Sequence, residues 1–442
     1  MQDPLQALRR GDLAGARSLR LTGELTTFPR EIFGLAETLE VLDLSGTDLS
    51  ALPHDMGRLT GLRVLFCSGT RFARLPPCLG DCRALSQIGF RGTGLCDVPG
   101  ESLPPFLRWL TLTDNRIEAL PEALGERPHL QKLMLSGNRL KVLPASLAGA
   151  PNLELLRLSA NCFEALPPWL TELPALAWIA WAGNPLEGPP TAMPVPQVPW
   201  SHLEPGPLLG EGASGRVHRA FWREDGAGAA QAVALKLFKG AMTSDGLPEQ
   251  EMAACLAAGR HPHLTGALGQ VTGHPEAAHG LLMPLLPDTW RVLAGPPSLA
   301  SCSRDVYDPG LRLAPRAAIS IARATAAAAA HLHAGRILHG DLYAHNILWD
   351  GGAGEAVLSD FGAASVLPAG PAAADLERIE TRAWGLLLGE LLDHCTTEPD
   401  RSVALRALEG ACIEPDPRAR PRMAEVLATL TGLAPETSAP QT

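Results

Sequence analysis

Lysine is almost absent from this 442-residue chain: Lys132, Lys141, Lys236 and Lys239 are the only four. Arginine carries nearly all the positive charge, and the formal net charge is −10. A chain with so few clustered cations is poorly suited to displace counterions from phosphate backbones, so no nucleic acid is expected as partner. No run of about 20 apolar residues occurs, and the first ten residues carry no apolar core of a signal peptide. Membrane association is therefore not expected, and a cytoplasmic location is. The nine cysteines include no C-x-x-C pair and no Cys/His spacing suited to zinc. Aromatics are only 5% of the residues, but the apolar share is 46% and the charged share 19%. That balance is globular, and the length implies two or three domains.

The first half of the chain repeats itself every 23 residues, with one unit of 22. Units begin at Ala16, Leu39, Leu62, Leu85, Leu107, Leu130, Leu153 and Leu176. Each of the clearest units places leucines at alternate positions of a short strand, then an Asn (Asn115, Asn138, Asn161), then Leu-Pro. A unit so short cannot bury its leucines alone, so neighbouring units must stack into one core. The Asn turns the chain after each strand and can satisfy backbone groups of a neighbouring turn. Thr47, Thr70 and Thr93 stand there in earlier units and can make fewer bonds, so a less regular N-terminal half is expected. This pattern resembles the leucine-rich repeat family over 16–190, with 1–15 as a helical cap begun by Asp3-Pro4. Strand positions alternating with the core leucines would face the concave side: Phe66, Arg91, Trp109, Lys132, Met134, Leu155, Arg157 and Trp178. Aromatics beside Arg and Met are typical of binding surfaces, so a protein substrate or partner is expected there.

Eight prolines between Asn184 and Leu208 read as an extended, semi-rigid spacer, set at 191–207. Beyond it comes Leu209-Gly210-Glu211-Gly212-Ala213-Ser214-Gly215-Arg216-Val217, followed by Val233-Ala234-Leu235-Lys236. A lone G-x-G-x-x-G is weak, but a dinucleotide-binding fold would place a helix directly after the glycines. Strand, turn and strand follow here instead. Next come Glu249 and Glu251 in a helical stretch, an apolar strand at Leu281–Leu286, and an alanine-rich helix over 315–333. Then stands His339-Gly340-Asp341-Leu342-Tyr343-Ala344-His345-Asn346, and after it Val357-Leu358-Ser359-Asp360-Phe361-Gly362. No single piece is decisive. Their order is.

Taken together these stretches resemble the protein kinase family over 201–432. The whole chain thus resembles a bacterial-type leucine-rich repeat protein kinase, an α/β leucine-rich repeat solenoid plus an α+β bilobal protein kinase-like domain, with a polar tail at 433–442. The resemblance implies ATP and Mg²⁺ as cofactors and phosphorylation of a protein hydroxyl, serine or threonine before tyrosine. It assigns Asp341 as the base for the acceptor hydroxyl and Lys236, paired with Glu251, as the phosphate contact. It assigns Leu209, Gly210, Gly212, Gly215 and Val217 to the loop over ATP, and the backbone of Pro284 and Leu286 to the adenine. Asn346 and Asp360 would hold the metal. Met283 would back the base, while His339 and Phe361 would pack and His345 would have no role. Gly340 and Tyr343 depart from the family's arginine and lysine. The stretch from Gly362 to Glu380 is short, without an A-P-E, so Arg420 is expected to lack its usual glutamate partner. Ser365 is the only hydroxyl in 363–379, and switching by phosphorylation there is not expected. Two other readings stay open: a scaffold that binds nucleotide or partners without transfer, and a small-molecule kinase suggested by His339-Gly340-Asp341-Leu342.

Overall fold

The computed structural model describes residues 3–187, 196–224, 228–240, 242–397 and 402–433. The expected spacer at 191–195 and the tail at 434–442 lie outside the described residues. The chain divides into two compact units. The first comprises Met1–Leu176, Gly183–Leu186 and Met242–Gly246; the second comprises Ala177–Ala182, Glu187–Ala241 and Leu247–Thr442.

The first unit opens with helix α1, Pro4–Arg10, capped by the Asp3 side chain, which accepts from Leu5 N at 3.0 Å. Seven three-residue strands follow, from Ser18–Arg20 to Leu155–Arg157, all paired in parallel. Leu42, Leu65, Ile88, Leu110, Leu133 and Leu156 align in register and are buried, forming the narrow core that the leucine spacing implies. On the return path, Pro29, Pro76, Pro99, Pro121, Pro144 and Pro167 each start a short 3₁₀ turn, where a fixed φ and a missing N–H cost nothing. The asparagines join neighbouring units. Asn138 donates to Leu112 O and Leu135 O at 2.9 Å each and accepts from Ile117 N at 3.1 Å. Thr47 and Thr70 donate only within their own unit, to Leu44 O and Cys67 O. Strand register nevertheless runs unbroken through those units. Strand pairing there therefore rests on the leucine core and not on the Asn ladder.

The second unit has a six-stranded sheet in the order 203–211, 215–222, 231–238, 280–284, 269–272 and 197–199. Its outermost strand, Gln197–Pro199, lies in the stretch expected to be spacer, and Val198 is buried with Ala220, Val233, Leu235, Val271 and Leu282. Here the alternation of apolar and polar residues outweighs the proline content, because an edge strand tolerates Pro199. Helix α2, Pro248–Ala258, follows the third strand of the chain's glycine-rich hairpin region. The helical portion contains α3 (Pro315–Ala334), α4 (Ala372–Asp393), α5 (Ser402–Cys412) and α6 (Met423–Gly432). The small alanines of α3 let α4 approach closely, and Trp384 of α4 donates its indole N–H to Ala322 O and Thr325 Oγ1. Among the described residues no helix is long and apolar enough to cross a membrane.

Candidate active site

Lys236 occupies the middle of a strand, between Val217 on one neighbour and Leu281 on the other. That register points its side chain to the same face as Val217, toward α2, where Glu251 forms an ion pair with it. Burial disfavours the ammonium, but the carboxylates of Glu251 and Asp360 outweigh it and hold Lys236 above the ordinary lysine value. Burial, together with the Asp360 carboxylate, pushes the Glu251 carboxyl above the ordinary glutamate value although Lys236 pulls it down. We take the pair as ionic because the ammonium lies in the field of two carboxylates. Glu249 makes no such contact; of the two candidates, Glu251 is the partner.

A cavity of about 620 Å³ opens beside this pair. Leu209, Gly210, Val217 and Ala234 help line it, as do Met283, Pro284, Leu285 and Leu286 and, farther along the chain, Ser359, Asp360 and Phe361. Gly212 and Gly215 sit in the hairpin turn itself, where Gly212 N donates to Gly215 O at 2.9 Å. Lys239 reaches across to Gly212 O and Glu211, so this turn is tied to the next strand. Thr265, Trp290, Val292 and Leu348 also line the cavity. No local motif marks them, since each arrives from an irregular or purely apolar segment.

The stretch His339–Asn346 is held from several sides. Asn346 Nδ2 donates to Asp341 O at 2.9 Å and Oδ2 at 2.7 Å, which leaves the Asn346 amide oxygen as its acceptor. Asp360 has φ +64°, and its Oδ1 accepts from Gly362 N at 3.0 Å. Two hard oxygen donors, one neutral and one anionic, suit Mg²⁺, which keeps most of its water and needs few protein ligands. Among the described residues no cluster of three His, Cys, Asp or Glu side chains suited to a metal occurs. His339 packs on Phe361 and reaches Ser359 O at 3.2 Å, the structural role expected of it. Glu380 of α4 accepts from the Gly340 N–H at 2.6 Å and pairs with His333 at 2.7 Å. Arg420, expected to stand without its partner, is buried and donates to the carbonyls of Glu414 and Arg378 instead.

His345 overturns an expectation. It is not idle: Nδ1 lies 2.7 Å from Asp305 Oδ1, its backbone N–H donates to Asp305 Oδ2 at 2.9 Å, and Nε2 stands 3.9 Å from Asp341 Oδ2. Burial disfavours its cation, but Asp305 and Asp341 outweigh burial and raise its pKa. Asp305 comes from 287–312, a stretch with no readable pattern in the sequence.

The two departures from the family motif share one cause. Segment Ala177–Ala182 packs on the catalytic stretch within the second unit. Trp178 stacks on Tyr343 with ring centroids 4.1 Å apart and 8° between planes, and its indole donates to Leu342 O at 3.1 Å. A side chain at Gly340 would meet Ile179 O and Ala363 O at 2.5 Å. Trp178 is therefore buried, not part of an open binding face. The same correction applies to Arg157, buried against Asp245 at 2.6 Å, and to Met134, also buried. Arg91 donates to Met242 O. Trp178, Arg157 and Arg91 meet other segments of the same chain. Phe66, Trp109 and Lys132 remain half-exposed, with Lys132 Nζ 4.2 Å above the Trp109 ring.

A protein tyrosine and serine/threonine kinase model matches residues 203–375. A leucine-rich repeat model matches 105–163 and 128–186. No curated protein matches the chain. The stretch beyond 375 lies outside the kinase match, yet Glu380 binds the catalytic stretch directly. The chain is a leucine-rich repeat protein that carries a protein kinase domain.

Proposed function

We propose that the second unit transfers the γ-phosphoryl group of ATP to a protein hydroxyl, serine or threonine before tyrosine, and that the repeats recruit the substrate or a partner. The observation that carries this reading is the Lys236–Glu251 ion pair beside a cavity that Asp360 also lines, with Asp341 and Asn346 bonded to each other nearby. Bound Mg²⁺ would supply charge neutralisation on the phosphates, held by Asn346 Oδ1 and the Asp360 carboxylate. The chain supplies the rest by positioning. The apolar walls around Val217, Ala234 and Met283 suit an adenine ring, and the backbone at Pro284 and Leu286 suits its polar edge. Lys236, fixed by Glu251, offers a compact cation to the phosphates. Asp341, oriented by Asn346, takes the hydroxyl proton as the acceptor oxygen bonds to phosphorus and ADP leaves.

A scaffold that binds nucleotide without transfer is favoured by one observation: Tyr343, stacked under Trp178, replaces the lysine that would neutralise phosphate charge. Incubation with labelled ATP, Mg²⁺ and a cell extract separates the two. Label on protein that disappears in Lys236→Met and Asp341→Asn supports transfer; wild-type protein that binds ATP but labels nothing sinks it.

A further inference from the structure

The proposed base has a second set of supports that the family motif does not contain. We propose that Asp305 and His345 are positioning residues for Asp341. This rests on the phosphotransfer reading and names how its base is aimed.

The Asp305 side chain is buried and uses both carboxylate oxygens on one residue, Oδ2 on the His345 backbone N–H and Oδ1 on Nδ1. Two bonds from one planar group fix both the backbone and the ring plane of His345. Nε2 is then the ring's remaining hydrogen-bonding atom, and it faces Asp341 Oδ2 at 3.9 Å. Catalytic contacts in ligand-free sites are commonly long and tighten when substrate binds. Asn346 Nδ2 donates to the same Oδ2 at 2.7 Å. The Tyr343 ring, 5.0 Å away, limits how far the imidazole can swing.

The loop delivering Asp305 is itself anchored. Arg304 and Tyr307, on either side of it, both bond to Glu390 of α4. Val306 pairs with Gly295 by two backbone hydrogen bonds. Such bracing places a carboxylate accurately, and misplacement of a reacting group by about 1 Å can cost ~100-fold in rate. The three groups form a line from loop to ring to base. Each lies in the second unit.

The test measures kcat and KM for ATP by label transfer in the full chain, with thermal midpoint and ATP affinity alongside. His345→Phe and Asp305→Ala are expected to lower kcat by ~10- to 100-fold while KM for ATP stays within about twofold. His345→Gln, whose amide can reach the Nε2 position, is expected to recover much of that loss. A purely packing role would give the opposite: Phe tolerated and Gln not, or loss that tracks the thermal midpoint. Active wild-type protein with unaltered kcat in His345→Phe and Asp305→Ala overturns this proposal alone. Wild-type protein that transfers no label overturns the phosphotransfer reading, and this proposal with it.

Discussion

Gly340 replaces a long cationic side chain of the family motif, and its surroundings explain why nothing larger fits. Its φ is +73°, a left-handed conformation, and a Cβ would overlap two carbonyl oxygens. Gly340→Ala is expected to cost about 2–4 kcal/mol, read as a lower denaturant midpoint, with the strain and the clash both contributing. The Gly340 N–H ends on Glu380, a fully buried carboxylate. Burial would raise its pKa, but the His333 hydrogen bond and the nearby imidazoles overcome that and hold it below the ordinary glutamate value. A carboxyl whose folded pKa is depressed stabilises the protein above its unfolded pKa, and the contribution is lost as pH falls through the folded value. The stability gap between wild type and Glu380→Gln should therefore be full at about pH 7 and shrink below about pH 4.5. A gap that widens on acidification would contradict the assignment.

At the scale of elements, the segment after Asp360 is held by strand pairing and by hydrogen bonds to Trp181 and Glu187. Residues Ser365–Val366 pair antiparallel with Ile337–Leu338. Trp181 N donates to Ser365 Oγ at 2.9 Å, Trp181 Nε1 donates to Val366 O at 3.3 Å, and Val366 N donates to Glu187. Ser365 is buried, so a kinase could not reach it without unfolding the segment. Ser365→Ala is expected to keep phosphotransfer within about threefold and to lose only about 1 kcal/mol of stability. Loss of all transfer with ATP affinity intact would refute that. In the repeats, Asn138 serves three backbone groups in two units, whereas Thr47 serves one. Asn138→Ala should thus destabilise by about 2–3 kcal/mol and Thr47→Ala by about 1 kcal/mol, measured by chemical denaturation.

At the scale of the whole molecule, the two compact units do not meet at a single point in the sequence. Ala177–Ala182 belongs to the second unit although it continues the spacing of the repeats, and Met242–Gly246 belongs to the first although kinase motifs flank it. Asp245 shows why. Desolvation alone would raise its carboxyl, yet Arg157 holds it below the usual range, so the loop is bound by the half-buried Asp245 paired with the buried Arg157. A boundary placed at the prolines would strip Trp178 and Trp181, both buried, from the second unit. A fragment starting at residue 196 should therefore be less stable than one starting at 177 by about 3–5 kcal/mol, the range for losing a buried aromatic. Equal unfolding midpoints would show that the segment is dispensable.

The sequence by itself determined the elements whose cause is local. Leucine spacing fixed the repeat strands because each strand's pleat and the 23-residue period leave one way to bury the leucines. Glycines 210, 212 and 215, Lys236, Asp341, Asn346 and Asp360 stand out in the sequence because phosphate chemistry would constrain residue type and order, and their roles rest on the proposed function. Only the tertiary structure decided what depends on distant partners. Asp305, Trp178 and Trp181 carry no motif, since a carboxylate or an indole gains its role from what it meets across 40 to 185 residues of chain. Edge pairing likewise claimed Gln197–Pro199 for the sheet, and buried ion pairing closed Arg157, expected to be open to a partner. For the catalytic stretch, Asp341 and Asn346 follow from sequence chemistry. Gly340, Tyr343 and His345 take their meaning from the segments packed against them, because close packing acts through space and leaves no periodic mark in the chain.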